Sequence, residues 1–171
     1  MTRRNLMLAV AFGLAILGSG YVGNSADATD DAALIKALAG AKVSLQQGLT
    51  ASQREGQPIS GKFELEDGKL QLSVYTAKDG KYFEVIVDYT AGKVAKSEPI
   101  TEGDDLTHAK SQSAAMAKAK AQLKDAVDKA TEAAAGSRAV SVTPEVKGAH
   151  LVASIVLLKG TQFLSVTQQL D

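Results

Sequence analysis

The sequence predicts an α+β protein built from two helix–strand–strand–strand repeats, each with one long helix packed on antiparallel sheet. Three observations carry this. Phe83, Val85 and Val87 alternate with Glu84, Ile86 and Asp88 between Tyr82 and Tyr89, the two-residue period of a strand. Alanine- and leucine-rich stretches with three- and four-residue apolar spacing precede each group of strand-like segments. A shift of 80 residues places Gly56, Gly68 and Gly80 on Gly136, Gly148 and Gly160, and Phe83 on Phe163. Each of these glycines stands where the chain must reverse.

Residues 1–28 read as a signal peptide. Arg3 and Arg4 form a basic n-region, Leu6–Leu17 an apolar stretch interrupted by Gly13, and Ala26-Asp27-Ala28 a cleavage site, with Gly23 and Ala26 as other ends. The apolar stretch is shorter than the roughly 20 residues a spanning helix needs, so cleavage is expected rather than retention as an anchor. Thr2-Arg3-Arg4-Asn5-Leu6 fits a twin-arginine signal only loosely, and paired arginines are common in general secretory signals too, which makes the general route the expectation and twin-arginine export the alternative. No cysteine follows it to be lipidated. Secreted or periplasmic location follows as the expectation.

In the first repeat, residues 29–98, a helix is expected from Asp30 or Asp31, which cap it and complement its dipole. Leu34, Leu38, Ala41, Leu45 and Leu49 make its apolar stripe. It ends at Gly48, or runs on to Glu55 with Gly56 as C-cap. Strands follow at Ile59–Glu66, Lys69–Ala77 and Tyr82–Tyr89, separated by Gly68 and by Asp79-Gly80, a tight-hairpin signal. Gly92–Ser97 is a candidate short edge segment. Residues 99–105 read as a linker. The second repeat, 106–171, opens with a helix beginning at Asp104 or Asp105 and running to about Ala135, with Gly136 as C-cap. Its strands are expected at Ala139–Val142, Leu151–Leu158 and Gln162–Leu170. The sheets are either two, one per repeat, or one merged. The expected core is Leu34, Leu38, Leu45, Leu72, Val74, Phe83, Val85, Val87, Leu123, Val127, Val152, Ile155, Phe163 and Val166.

Without residues 1–28 the chain keeps 17 basic and 18 acidic residues. So balanced a chain has no long-range attraction for nucleic acid or an anionic membrane. It has no cysteine, hence no disulfide and no thiol nucleophile. Residues 110–171 carry a net charge of +3 and residues 29–109 a net of −4. Lys110, Lys118, Lys120, Lys124 and Lys129 would give the second helix a basic side, which a solvated helix face explains and which also suits association of oppositely charged halves.

Catalytic chemistry finds no foothold. His108 and His150 stand in no metal-ligand spacing, and no nucleophile motif occurs in the mature chain. No catalytic, cofactor-binding or metal residue is assigned, and no cofactor is expected. The acidic groups Glu102/Asp104/Asp105, Glu64/Glu66/Asp67 and Glu84/Asp88 lack the loop pattern that gathers six or more oxygens around Ca²⁺. Helix capping accounts for the first and a solvated sheet face for the others; a Ca²⁺- or lanthanide-binding envelope protein is the alternative reading.

Residues 31–97, and above all Tyr82-Phe83-Glu84-Val85-Ile86-Val87-Asp88-Tyr89-Thr90-Ala91-Gly92-Lys93-Val94, resemble the PepSY domain, a small α+β module of bacterial secreted and envelope proteins. The usual Thr-Gly pair before the lysine is Ala91-Gly92 here. Residues 112–171 resemble it more distantly: Phe163-Leu164-Ser165-Val166 occupies the expected strand, but no acidic residue follows Phe163. The resemblance implies a helix on a short antiparallel sheet, in tandem, and a non-enzymatic binding module. The partners it implies are a secreted peptidase, restrained by the module, or an envelope protein, met by strand addition or by docking on a sheet face.

Overall fold

The computed structural model describes residues 25–171. The elements run α1 (Ser25–Leu38), α2 (Leu45–Ser52), β1 (Gln57–Glu66), β2 (Lys69–Lys78), β3 (Lys81–Val87), β4 (Val94–Ile100), α3 (Gly103–Met116), α4 (Leu123–Ala133), β5 (Arg138–Lys147), β6 (His150–Lys159) and β7 (Gln162–Gln169). The expected signal segment lies outside the described residues except for Ser25–Ala28, which open α1.

The strands form one antiparallel sheet in the order β4-β3-β2-β1-β5-β6-β7. Within each half, strands adjacent in sequence pair as hairpins. The halves join along a short seam, where Gly61 stands opposite Val142 and Lys62 opposite Ser141. The candidate edge segment at Gly92–Ser97 is a full edge strand, β4, paired with β3 from Val94 to Ile100. Of the expected linker at 99–105, Pro99 and Ile100 belong to β4 and Gly103 begins α3, so only Thr101 and Glu102 lie between elements.

Each long helix expected from the sequence is broken in two. The cause is the same in both halves. The backbone N–H groups of Lys42 and Val43 both donate to the Tyr89 carbonyl at 2.9 Å, and those of Lys120 and Ala121 to the Leu170 carbonyl at 2.6 and 3.1 Å. Two donors leave the helical ladder to satisfy a carbonyl at the end of the half's third strand, and the chain must turn there. In the first half the helix restarts with a capping box: Gln47 N–H donates to Ser44 Oγ at 3.2 Å, and Ser44 N–H to Gln47 Oε1 at 2.8 Å.

Helix α2 lies on one sheet face. Gly48 is inside it rather than at its end, and a Cβ there would come 2.7 Å from Leu72 Cδ2. A Cβ on Gly61 of β1 would meet Leu49 Cδ2 at 3.3 Å and Leu45 Cδ1 at 3.4 Å. Leu72, Val74, Val85, Val87, Val127, Ile155 and Leu157 fill the core between helices and sheet. The expected core residues are buried except Leu34, Phe83, Phe163 and Val166, which pack around its rim. Helix α3 reaches the opposite face: Ser60, whose strand partner is Tyr75, donates from Oγ to Gln112 Oε1 at 2.7 Å.

The 80-residue shift is corrected by the strand register. Lys78 and Lys81 flank the Asp79-Gly80 turn, and Lys159 and Gln162 flank Gly160-Thr161. The strands therefore correspond at 81 residues, and Gly148 and Gly160 stand where Asp67 and Asp79 do. Asp67 and Asp79 take φ of 50° and 51° before glycines at 74° and 73°, the two left-handed residues of a type I′ turn; in the corresponding turns of the second half only the first residue, Gly148 or Gly160, is left-handed, as in type II′. Two turn types that both suit a hairpin put glycine one position apart, so Phe163 matches Tyr82, and Leu164 matches Phe83.

Candidate functional site

The chemistry-bearing residues do not converge. Among the described residues, no group of three or more His, Asp and Glu side chains is placed to hold a metal ion. His108 is exposed on α3; His150 is exposed at the start of β6, with Nδ1 3.4 Å from Asp171 Oδ2. Asp104 and Asp105 lie in the first turn of α3. Asp67 takes the first left-handed position of the β1–β2 turn. Asp88 folds back on its own loop, accepting from Thr90 N–H at 2.8 Å, Thr90 Oγ1 at 2.6 Å and Ala91 N–H at 3.0 Å; these bonds hold its carboxyl below the usual range. The basic side expected of the second helix is divided: Lys110 is on α3, Lys118 and Lys120 lie in the connection, and Lys124 pairs with Asp128 at 2.6 Å on α4.

Glu64 and Glu84 lie on the sheet face that α3 approaches, in a polar network that departs from a freely solvated surface. Lys62 pairs with Glu64 at 2.5 Å, Ser73 donates to Glu64 at 2.9 Å, and Gln71 donates to Ser73 at 2.9 Å. The Tyr75 hydroxyl reaches Glu84 Oε1 at 3.4 Å, and Lys62 Nζ lies 5.9 Å from the Tyr75 ring centroid. Burial pushes the Glu84 carboxyl above its usual range. Burial likewise pushes the Tyr75 phenol up, helped by Glu84 and Glu64. With one lysine answering two half-buried carboxylates, these groups knit β1, β2 and β3 together. An open depression of about 370 Å³ lies nearby, lined by Gln71, Ile86, Asp88 and Ala95 among others; Asp88 is its one titratable carboxylate and is already committed to its turn.

The two sheet edges differ in a way that bears on binding. In β3, residues alternate between bonding β2 and bonding β4. Lys81 closes the two-residue turn with Lys78, so Tyr82, Glu84 and Ile86 direct their backbone groups to β4, where they meet Ile100, Glu98 and Lys96. The next residue of that parity, Asp88, donates from N–H to Lys93 O at 2.8 Å. On β4 itself, Pro99 falls at a position whose N–H would face outward, so this edge lacks a donor there. Lys96 and Glu98, paired at 2.8 Å, add charge to it. Proline and charge are the usual means of protecting an edge.

Strand β7 has neither. Gln162-Phe163-Leu164-Ser165-Val166-Thr167-Gln168-Gln169 contains no charge and no proline. By the 81-residue correspondence, Ser165 and Thr167 match Glu84 and Ile86, so their backbone groups face away from β6. Leu170, of the opposite parity, confirms the alternation by donating inward to the Leu151 carbonyl at 2.9 Å. Among the described residues no strand lies outside β7. Leu164 is 37 % exposed beside it. The blocked state of β4 was not legible in the sequence, because Pro99 read as linker.

No family model, curated protein or solved structure matches this chain. Among the described residues no helix is long and apolar enough to cross a membrane.

Proposed function

We propose that this is an exported, non-enzymatic binding module of the PepSY type, built from two copies of one unit, which takes up an extended segment of a secreted peptidase or envelope protein as a strand beside β7. The observation that carries the reading is the uncharged, proline-free β7 edge, set against a β4 edge closed by Pro99, Lys96 and Glu98. Strand addition supplies affinity through backbone hydrogen bonds and selectivity through alternate side chains. Leu164 and Val166 would select apolar side chains on one face, Ser165 and Thr167 small polar ones on the other.

Duplication is supported by the paired element order and by the equivalent use of the Tyr89 and Leu170 carbonyls. Each unit would then be two helices and three strands, with β4 an addition to the first.

Peptides selected on the purified protein from a phage-displayed library test the binding. Selected peptides should lose at least ~10-fold in affinity on Leu164→Lys, equivalent to about 1.4 kcal/mol, and bind Ala95→Lys on β4 unchanged. If no selected peptide responds to Leu164→Lys, the reading fails.

A further inference from the structure

We infer that two copies of this chain pair with each other through β7, antiparallel about a two-fold axis at Ser165, and that this dimer covers the edge until a partner strand displaces it. The inference rests on the binding role proposed for that edge and adds its regulation.

The strand is complementary to itself. An isologous antiparallel pair must bring outward-facing residues opposite one another, and Ser165 and Thr167 are of that class. Two registers satisfy this parity with good overlap, centred at Ser165 or at Val166. Centred at Ser165, Leu164 of one copy lies against Val166 of the other, twice, in the closer, non-hydrogen-bonded type of pair. This covers the exposed flank of Leu164 with an apolar side chain. Centred at Val166, Leu164 would face Gln168 instead. The first register buries more apolar surface.

Charge points the same way. A two-fold axis brings each residue near its own copy, so any charge in the strand faces a like charge nearby. Between Gln162 and Gln169 there is none. The β4 edge fails the same test, since Pro99 withholds a donor from the ladder. The product would be a sheet continuous across both copies, from β4 of one to β4 of the other, with only protected edges outside.

Edge pairing alone buries less than the ~1,000 Å² of a stable interface, so the dimer is weak and exchanges. That weakness lets a partner strand compete for the same backbone groups.

Sedimentation equilibrium of the full chain, as its expression host matures it, tests this. The mass should rise from monomer towards dimer between about 1 and 500 μM, and Leu164→Lys and Ser165→Pro should each weaken association by at least ~10-fold. Because the chain has no cysteine, single-cysteine variants report the register: mixed Leu164→Cys and Val166→Cys proteins should cross-link to each other in preference to themselves. A monomer throughout that range, a dimer indifferent to both edge variants, or cross-linking without that preference would overturn the inference. A monomeric protein that still binds Leu164-dependent peptides would sink the dimer alone; a β7 dimer that selects no peptide would sink the partner role alone.

Discussion

The guanidinium carbon of Arg138 lies 5.0 Å from the centroid of the Phe63 ring, joining the first residue of β5 to β1 across the seam. The same group donates from Nη1 to the carbonyls of Leu38 and Ala41 at 3.1 and 3.0 Å, and from Nη2 to that of Val43 at 2.7 Å. One side chain from the second half therefore satisfies three carbonyls in the break between α1 and α2 of the first. Burial lowers its pKa from the usual arginine value; the planar fork and the ring face are what hold it there.

Arg138→Ala should cost about 3 kcal/mol, because it strands three carbonyls as well as removing the stack. In a domain of this size that lowers Tm by roughly 6–12 °C, measurable by calorimetry. Arg138→Lys should recover less than half of it, since a single ammonium cannot span the fork.

Gly48→Ala should destabilise despite the better helix former. The propensity gain is about 1 kcal/mol, whereas a methyl 2.7 Å from fully buried Leu72 Cδ2 brings an overpacking cost of about 1–3 kcal/mol. Leu72→Val removes the Cδ atoms, so urea denaturation of the double mutant should show less loss than the two single losses added.

Glu84→Gln should stabilise the protein at pH 7. The folded-state pKa of Glu84 is raised by burial, so the native state binds its proton more tightly than the unfolded chain does. Its contribution is most favourable below the unfolded value and falls as pH rises through the folded one. The urea midpoints of wild type and Glu84→Gln should converge below about pH 4, the unfolded range for glutamate, and separate as pH rises.

Asp88 has the opposite sign. Its depressed pKa gives stability that is present above the unfolded aspartate value, about 3.9, and lost as pH falls through the lower folded value. Asp88→Asn should flatten that part of the acid limb in a pH-resolved melting series, while the amide oxygen still accepts from Thr90 and Ala91.

The strands were legible because their information is local. Alternation at Tyr82–Tyr89 and the two-residue turns at Asp67-Gly68 and Asp79-Gly80 specify hairpins without reference to the rest of the chain. The helix breaks were not. Ala117-Lys118-Ala119-Lys120-Ala121 is among the strongest helix-forming runs present, and it leaves the helix because the Leu170 carbonyl, some fifty residues away in sequence, takes its donors. The glycine match at 80 residues was real as a pattern but conflated two turn types. The contrast between the edges depended on seeing Pro99 in a strand. Glu84 was expected on a solvated face because nothing local announces that α3 reaches that side of the sheet.

The brevity of the seam also orders the assembly of the molecule. The β1–β2, β2–β3, β5–β6 and β6–β7 pairs each begin at a two-residue turn, so their closure entropy is small and they form within microseconds. Gly61 and Val142 stand 81 residues apart. Their ladder can form only after a long loop closes, and it offers two residue pairs in return. Each half is therefore expected to become ordered before the sheet is continuous, with the docking of the preformed halves as the late event. Arg138, whose contacts exist only after docking, should have a φ-value near zero and govern the rate of unfolding rather than that of folding.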